Sequence, residues 1–140
     1  MIDRSLILTK AGRVNNHLRR IRERRSDSLE DFLNDLDRQE SVLFNLQLGI
    51  QNCIDIAAHI VSDEDLGIVG STNELFYALQ KNGYLDAALT EKMVASVGFR
   101  NLIVHEYGNV DLKKVYKISN QALDDLEDYL RALFEKCEIK

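Results

Sequence analysis

The sequence predicts an all-α protein, an antiparallel bundle of about five helices. Three observations carry this reading. Apolar residues recur at steps of three and four along nearly the whole chain, the spacing of one helix face. The stretches between these runs are short and polar. Proline is absent from all 140 residues, and neither flank of the turn-like Asn82-Gly83 alternates as a hairpin would.

The first helix carries Ile7, Ala11, Val14, Leu18 and Ile21 as a narrow apolar stripe, with Asp3 or Ser5 placed to cap its start. Arg19, Arg20, Arg22, Arg24 and Arg25 crowd its last turns, where the helix dipole favours cations. Ser26-Asp27-Ser28 interrupts the pattern. Ser28 with Asp31 three residues on resembles a capping box, opening a short helix with Phe32, Leu33 and Leu36 as its apolar face. From about Gln39 a long helix bears two adjacent stripes, Val42, Leu46, Gly49, Cys53, Ile56, Ile60 and Leu43, Ile50, Ile54, Ala57, Val61. A face this wide belongs to the central helix of a bundle.

Residues 62–67 read as a solvated loop, because their three acids lack the spaced ligands of a calcium loop. Ser71-Thr72-Asn73 opens a helix through about Lys81, with Leu75, Phe76 and Leu79 inward, and Asn82-Gly83 ends it. Asp86 or Thr90 caps the next helix, lined on one side by Leu89, Met93, Val97, Arg100 and Val104, with Gly108-Asn109 as its stop. Asp111 caps the last helix, which carries Val115, Ile118, Ala122, Leu126, Leu130, Leu133 and Cys137 inward and Asp124, Asp125, Glu127 and Asp128 outward.

Length and composition place residues 1–140 in one domain with one core, since 45% apolar residues exclude disorder. No apolar run spans a bilayer, and Met1-Ile2-Asp3-Arg4 is not a secretory start. Cys53 and Cys137 form no metal-spaced pair, so two reduced thiols in a cytoplasmic protein are expected. Net charge is −5 but unevenly placed. Residues 1–25 hold eight Lys or Arg against two Asp or Glu, +6; the rest hold ten against twenty-one, −11. The basic segment reads as an RNA-facing arm, a dock for an acidic partner, or simply a solvated helix face.

The chemistry concentrates in Gly98-Phe99-Arg100-Asn101-Leu102-Ile103-Val104-His105-Glu106-Tyr107-Gly108. Arginine is a fixed cation with a planar fork suited to phosphate. Histidine takes and gives protons near neutral pH. Together they suffice for phosphodiester chemistry without a metal or cofactor. On a helix Asn101 and His105 share a face about 40° wide, whereas Arg100 and His105 diverge by about 140°. One rigid helix therefore does not aim both at one small target. Either the helix loosens near His105, or a second copy of the chain supplies the missing group across a two-fold axis. Plainer readings stand beside this one. Arg100 can lie over its own stem, Asn101 can bond backbone, His105 can sit at a helix C-terminus, and Tyr107 can be a rim aromatic. His59, four residues after Asp55, is expected to pair with it; His17 is expected to be solvated. Metalloprotease, nucleotide-cradle and nucleophile-elbow motifs are absent.

At this segment the sequence resembles the HEPN superfamily, and within it the HepT toxins of HEPN/MNT toxin–antitoxin pairs. The shared signature is arginine, a polar residue, three positions, histidine, one position, tyrosine. Arg100, Asn101, His105 and Tyr107 match it without departure. The preceding Gly98-Phe99, the run from Glu40 to Gln47, and Cys53-Ile54-Asp55 extend the likeness to nearly the whole chain. The resemblance implies a dimeric HEPN-like bundle and a metal-independent endoribonuclease toxin of type VII. His105 would act as general acid or base, Arg100 would stabilise the phosphate, and Asn101 would orient the phosphate or His105. It also implies RNA as substrate and an MntA nucleotidyltransferase antitoxin as partner, which transfers AMP from ATP to the signature tyrosine, here Tyr107. A non-catalytic helical subunit that binds substrate for a separate nucleotidyltransferase chain is the alternative. A DNA-binding bundle using Arg19–Arg25 is a third.

Overall fold

The computed structural model describes residues 1–139 and contains six helices: α1 (Arg4–Arg24), α2 (Leu29–Leu33), α3 (Leu36–Asp63), α4 (Thr72–Lys81), α5 (Ala87–His105) and α6 (Leu112–Cys137). A single 3-10 turn, Tyr107–Asn109, joins α5 to α6. α2 has five residues and the other five are longer, so the expected bundle holds, including the short helix opened by Ser28.

Each helix begins the same way. Asp3, Ser28, Asp35, Ser71, Asp86 and Asp111 stand in extended backbone and accept a hydrogen bond from an N–H of the first turn. Such a cap satisfies one of the donors a helix start leaves open. Asp35 was not anticipated. It starts α3 at Leu36 rather than near Gln39, and Leu36 is consequently an exposed first-turn residue instead of part of the α2 face. Gly83, at φ +82°, ends α4 in the left-handed region as expected of a glycine there.

α1 lies antiparallel along α3, with Asp3 against Asp63 at one end and Arg24 against Arg38 at the other. Asp63 is the last residue of α3, not part of a solvated loop: its carboxylate accepts from the Asp3 N–H and its carbonyl from the Met1 amine. α6 runs antiparallel to α1. Arg25 lies 4.2 Å over the Tyr116 ring and donates to Ser119 Oγ, while Arg22 pairs with Glu127. Two of the five clustered arginines therefore dock α1 on α6. His17 is half-buried, with Nδ1 2.8 Å from Asn45 Oδ1, because α1 turns that side toward α3; the solvated expectation was wrong.

Both stripes of α3 are buried, from Val42 to Val61. Val14, Ile21, Phe32, Ile56, Phe76, Met93, Ile103 and Tyr129 join them in one continuous core. Cys53 and Cys137 are free and buried. Tyr129 is fully enclosed and donates to the Cys53 carbonyl at 2.9 Å.

Burial pushes the Tyr129 phenol well above its ordinary value; burial first, then Asp55, pushes the Cys53 thiol up. Both groups stay protonated in the folded chain and ionise in the unfolded one. Their contribution is present below the unfolded values and lost as pH rises beyond them. Melting temperature is therefore expected to fall from about pH 9 upward. Tyr129→Phe should cost about 1 kcal/mol at neutral pH, the loss of one hydrogen bond, and flatten the alkaline slope. Thermal melts between neutral and alkaline pH measure both; a flat profile would contradict the burial argument.

Candidate active site

α5 carries the central segment. It is capped by Asp86 and runs as an unbroken α-helix to His105, where the Glu106 N–H still reaches the Leu102 carbonyl at 2.8 Å. The helix does not loosen before the histidine, and it stops at His105 rather than at Gly108. Arg100 and His105 therefore remain about 140° apart around the axis. Arg100 turns inward, half-buried, toward α3; Asn101 and His105 are exposed. Val104 was expected on the apolar side and is 42% exposed.

The Arg100 guanidinium is held at both ends. Nη1 donates to Asn101 Oδ1 at 2.7 Å and Nη2 to Gln51 Oε1 at 2.5 Å. Nε is buried without a partner among the described residues. A guanidinium has five N–H bonds. With two engaged and Nε enclosed, one N–H on each terminal nitrogen is left for an anion. Asn101 thus touches Arg100, not His105, although it shares the histidine's side of the helix. His105 has no hydrogen-bond partner among the described residues.

Tyr107 lies in the 3-10 turn, 47% exposed. With Leu36, Glu40, Leu43 and Leu112 it lines a notch of about 200 Å³ at the start of α3. Partial burial, and then the Glu40 carboxylate, push its phenol above the ordinary range, so it is protonated at neutral pH. A larger cleft, about 620 Å³, lies elsewhere, between α5 and α6 beside Phe99, Lys92, Lys114 and Lys117. It includes none of Arg100, Asn101, His105 and Tyr107.

Two neighbours of the segment, Gln51 and Glu40, escaped sequence reasoning. Both sit on α3 outside its apolar stripes; the pairing of α3 with α5 brings in Gln51, and the 3-10 turn with the start of α6 brings in Glu40. His59 does not pair with Asp55. That carboxylate accepts from Gln51 at 3.0 Å and faces Lys10 at 3.5 Å instead, because α1 packs on the same flank of α3. Among the described residues no cluster of three or more His, Cys, Asp or Glu side chains forms a metal site, and no helix is long and apolar enough to cross a membrane.

The bundle presents a tethered arginine and an exposed histidine near the end of one helix. Comparison with known proteins gives the family of the chain. A sequence profile described as ribonuclease HepT-like matches residues 14–133. A Shewanella oneidensis protein named mRNA nuclease HepT is 32% identical over 125 residues, covering 89% of this chain and 93% of its own. An Aphanizomenon flos-aquae protein named tRNA nuclease HepT is 30% identical over 132 residues, covering 94% and 90% respectively. A solved structure of a tri-AMPylated Shewanella oneidensis HEPN toxin in complex with MNT antitoxin matches with a TM-score of 0.86 at 32% identity, over 95% of this chain and 98% of that one. The chain belongs to the HepT-like ribonuclease family.

Proposed function

We propose that this chain is the ribonuclease toxin of a toxin–antitoxin pair, cutting RNA without a metal at a site shared between two copies. The observation that carries the reading is the tethered Arg100, with N–H bonds to spare, five residues before an exposed His105 on the same helix. His105 of one copy would take the proton of a ribose 2′-hydroxyl. The freed oxygen would attack the adjacent phosphorus and expel the 5′-oxygen, which takes a proton from an imidazolium. The products are a 2′,3′-cyclic phosphate and a 5′-hydroxyl. Arg100 would hold the phosphate and bind the extra charge of its transition state.

The two-copy arrangement rests on the helix geometry and on the surface around Arg100. Phe44 is 55% exposed on α3, seven residues before Gln51 and so on nearly the same face. Val104 follows Arg100 by four residues on α5. An apolar surface beside a polar site marks an interface rather than free solvent-facing area. The buried, unpaired thiols suit the cytoplasm, where reduced cysteines persist.

Tyr107 is the acceptor for AMP from a nucleotidyltransferase antitoxin of the MntA kind. It is the exposed hydroxyl closest in sequence to His105, and added phosphates there would place negative charge on the signature segment and repel RNA.

Expression of the wild-type chain without its partner is expected to arrest growth, and His105→Ala at equal soluble level is not. Equal harmlessness of both would favour the non-catalytic subunit.

A further inference from the structure

We propose that Gln51 is a positioning residue for Arg100, and that Asp55, held by Lys10, sets which way its amide faces. The proposal rests on Arg100 being the phosphate-binding cation.

Three helices contribute one chain of contacts. Arg100 Nη2 on α5 donates to Gln51 Oε1 on α3 at 2.5 Å. Gln51 Nε2 donates to Asp55 Oδ1 at 3.0 Å, one turn along the same helix. Lys10 Nζ on α1 lies 3.5 Å from Asp55 Oδ2. An amide has two nearly identical ends, one donor and one acceptor. Turned the wrong way, its N–H would oppose the guanidinium N–H. The Asp55 carboxylate only accepts, so it draws the NH₂ end to itself and leaves the oxygen for Arg100. Lys10 offsets the carboxylate's charge on the α1 side.

The residue type matters as much as the distance. A carboxylate at position 51 would hold the arginine more strongly. It would also cancel the positive charge that has to meet phosphate. A neutral amide fixes the guanidinium and leaves its charge intact. The fixed group then needs no reorganisation as charge develops on the scissile phosphate. Asn101 supplies the second tether, on the same helix as Arg100, so Gln51 is what ties the cation to the bundle.

The test uses the full-length chain, a short oligoribonucleotide, and thermal melts of every variant. Gln51→Met keeps the stem and removes both hydrogen bonds. It is expected to lower kcat about tenfold or more with little change in KM or melting temperature. Gln51→Glu keeps the shape and is expected to lose at least as much, whereas a purely structural role would be rescued by it. Asp55→Asn is expected to cost about threefold alone and nothing further in the Gln51→Met background, because it acts through Gln51. Wild-type kcat in Gln51→Met, rescue by Gln51→Glu, or an additive Asp55 effect would each overturn the proposal. Arg100→Ala is run beside them. An inactive Arg100→Ala with a fully active Gln51→Met removes only the positioning role. An active Arg100→Ala removes the catalytic reading and this proposal with it.

Discussion

Mixing Arg100→Ala chains with His105→Ala chains is expected to restore RNA cleavage that neither variant shows alone. Each homodimer lacks one essential group in both of its sites. In a mixed dimer, the arginine of one chain and the histidine of the other are both wild type and form one complete pair. The second pair lacks both groups. Random mixing puts about half of all dimers in the mixed form, each with one of two sites, so about a quarter of wild-type activity should return. Each single variant is expected to lose about a hundredfold or more, the size seen for a lost general acid–base or oxyanion donor. If both groups act within one chain, the mixture stays inactive. Cleavage of a labelled oligoribonucleotide, before and after co-refolding the two variants, decides between these. The expectation follows from α5 remaining a regular helix to its last residue, His105.

Modification at Tyr107 should remove activity as completely as losing His105. Incubation with the cognate nucleotidyltransferase and ATP is expected to raise the intact mass by whole adenylyl units, and Tyr107→Phe should abolish the shift. Tyr107→Phe should also leave the toxin active in the presence of its partner. The phenol is protonated at neutral pH, pushed up by partial burial and by Glu40. It therefore has to lose its proton during transfer, and the rate of modification should rise with pH through the neutral range. A mass shift that persists in Tyr107→Phe would move the acceptor elsewhere.

The helices were legible in the sequence because their signals are local. Stripes such as Ile7 to Ile21 and Val42 to Ile60 repeat at helical spacing, and Ser28, Ser71 and Asp111 announce helix starts within four residues. The segment from Arg100 to Tyr107 stood out for the same reason: its four candidate side chains lie within eight positions. The misreadings were of another kind. His17 and His59 were judged by neighbours along the chain, whereas Asn45 and Lys10, on helices packed opposite, settled which bonds formed. Asp35 lacked a visible break before it, since α2 and α3 are separated by two residues, Asn34 and Asp35.

Periodicity and capping residues were enough to establish the helical bundle, and one eight-residue run of arginine, amide, imidazole and phenol to single out a candidate site, because each depends on residues within a turn or two of one another. The orientation of Arg100 and the tether from Gln51 depend on α3 lying against α5, and the notch around Tyr107 on the start of α3 meeting the 3-10 turn and the start of α6. Those contacts join positions about fifty or more apart in the chain, and no local spacing encodes which side chains will meet across them.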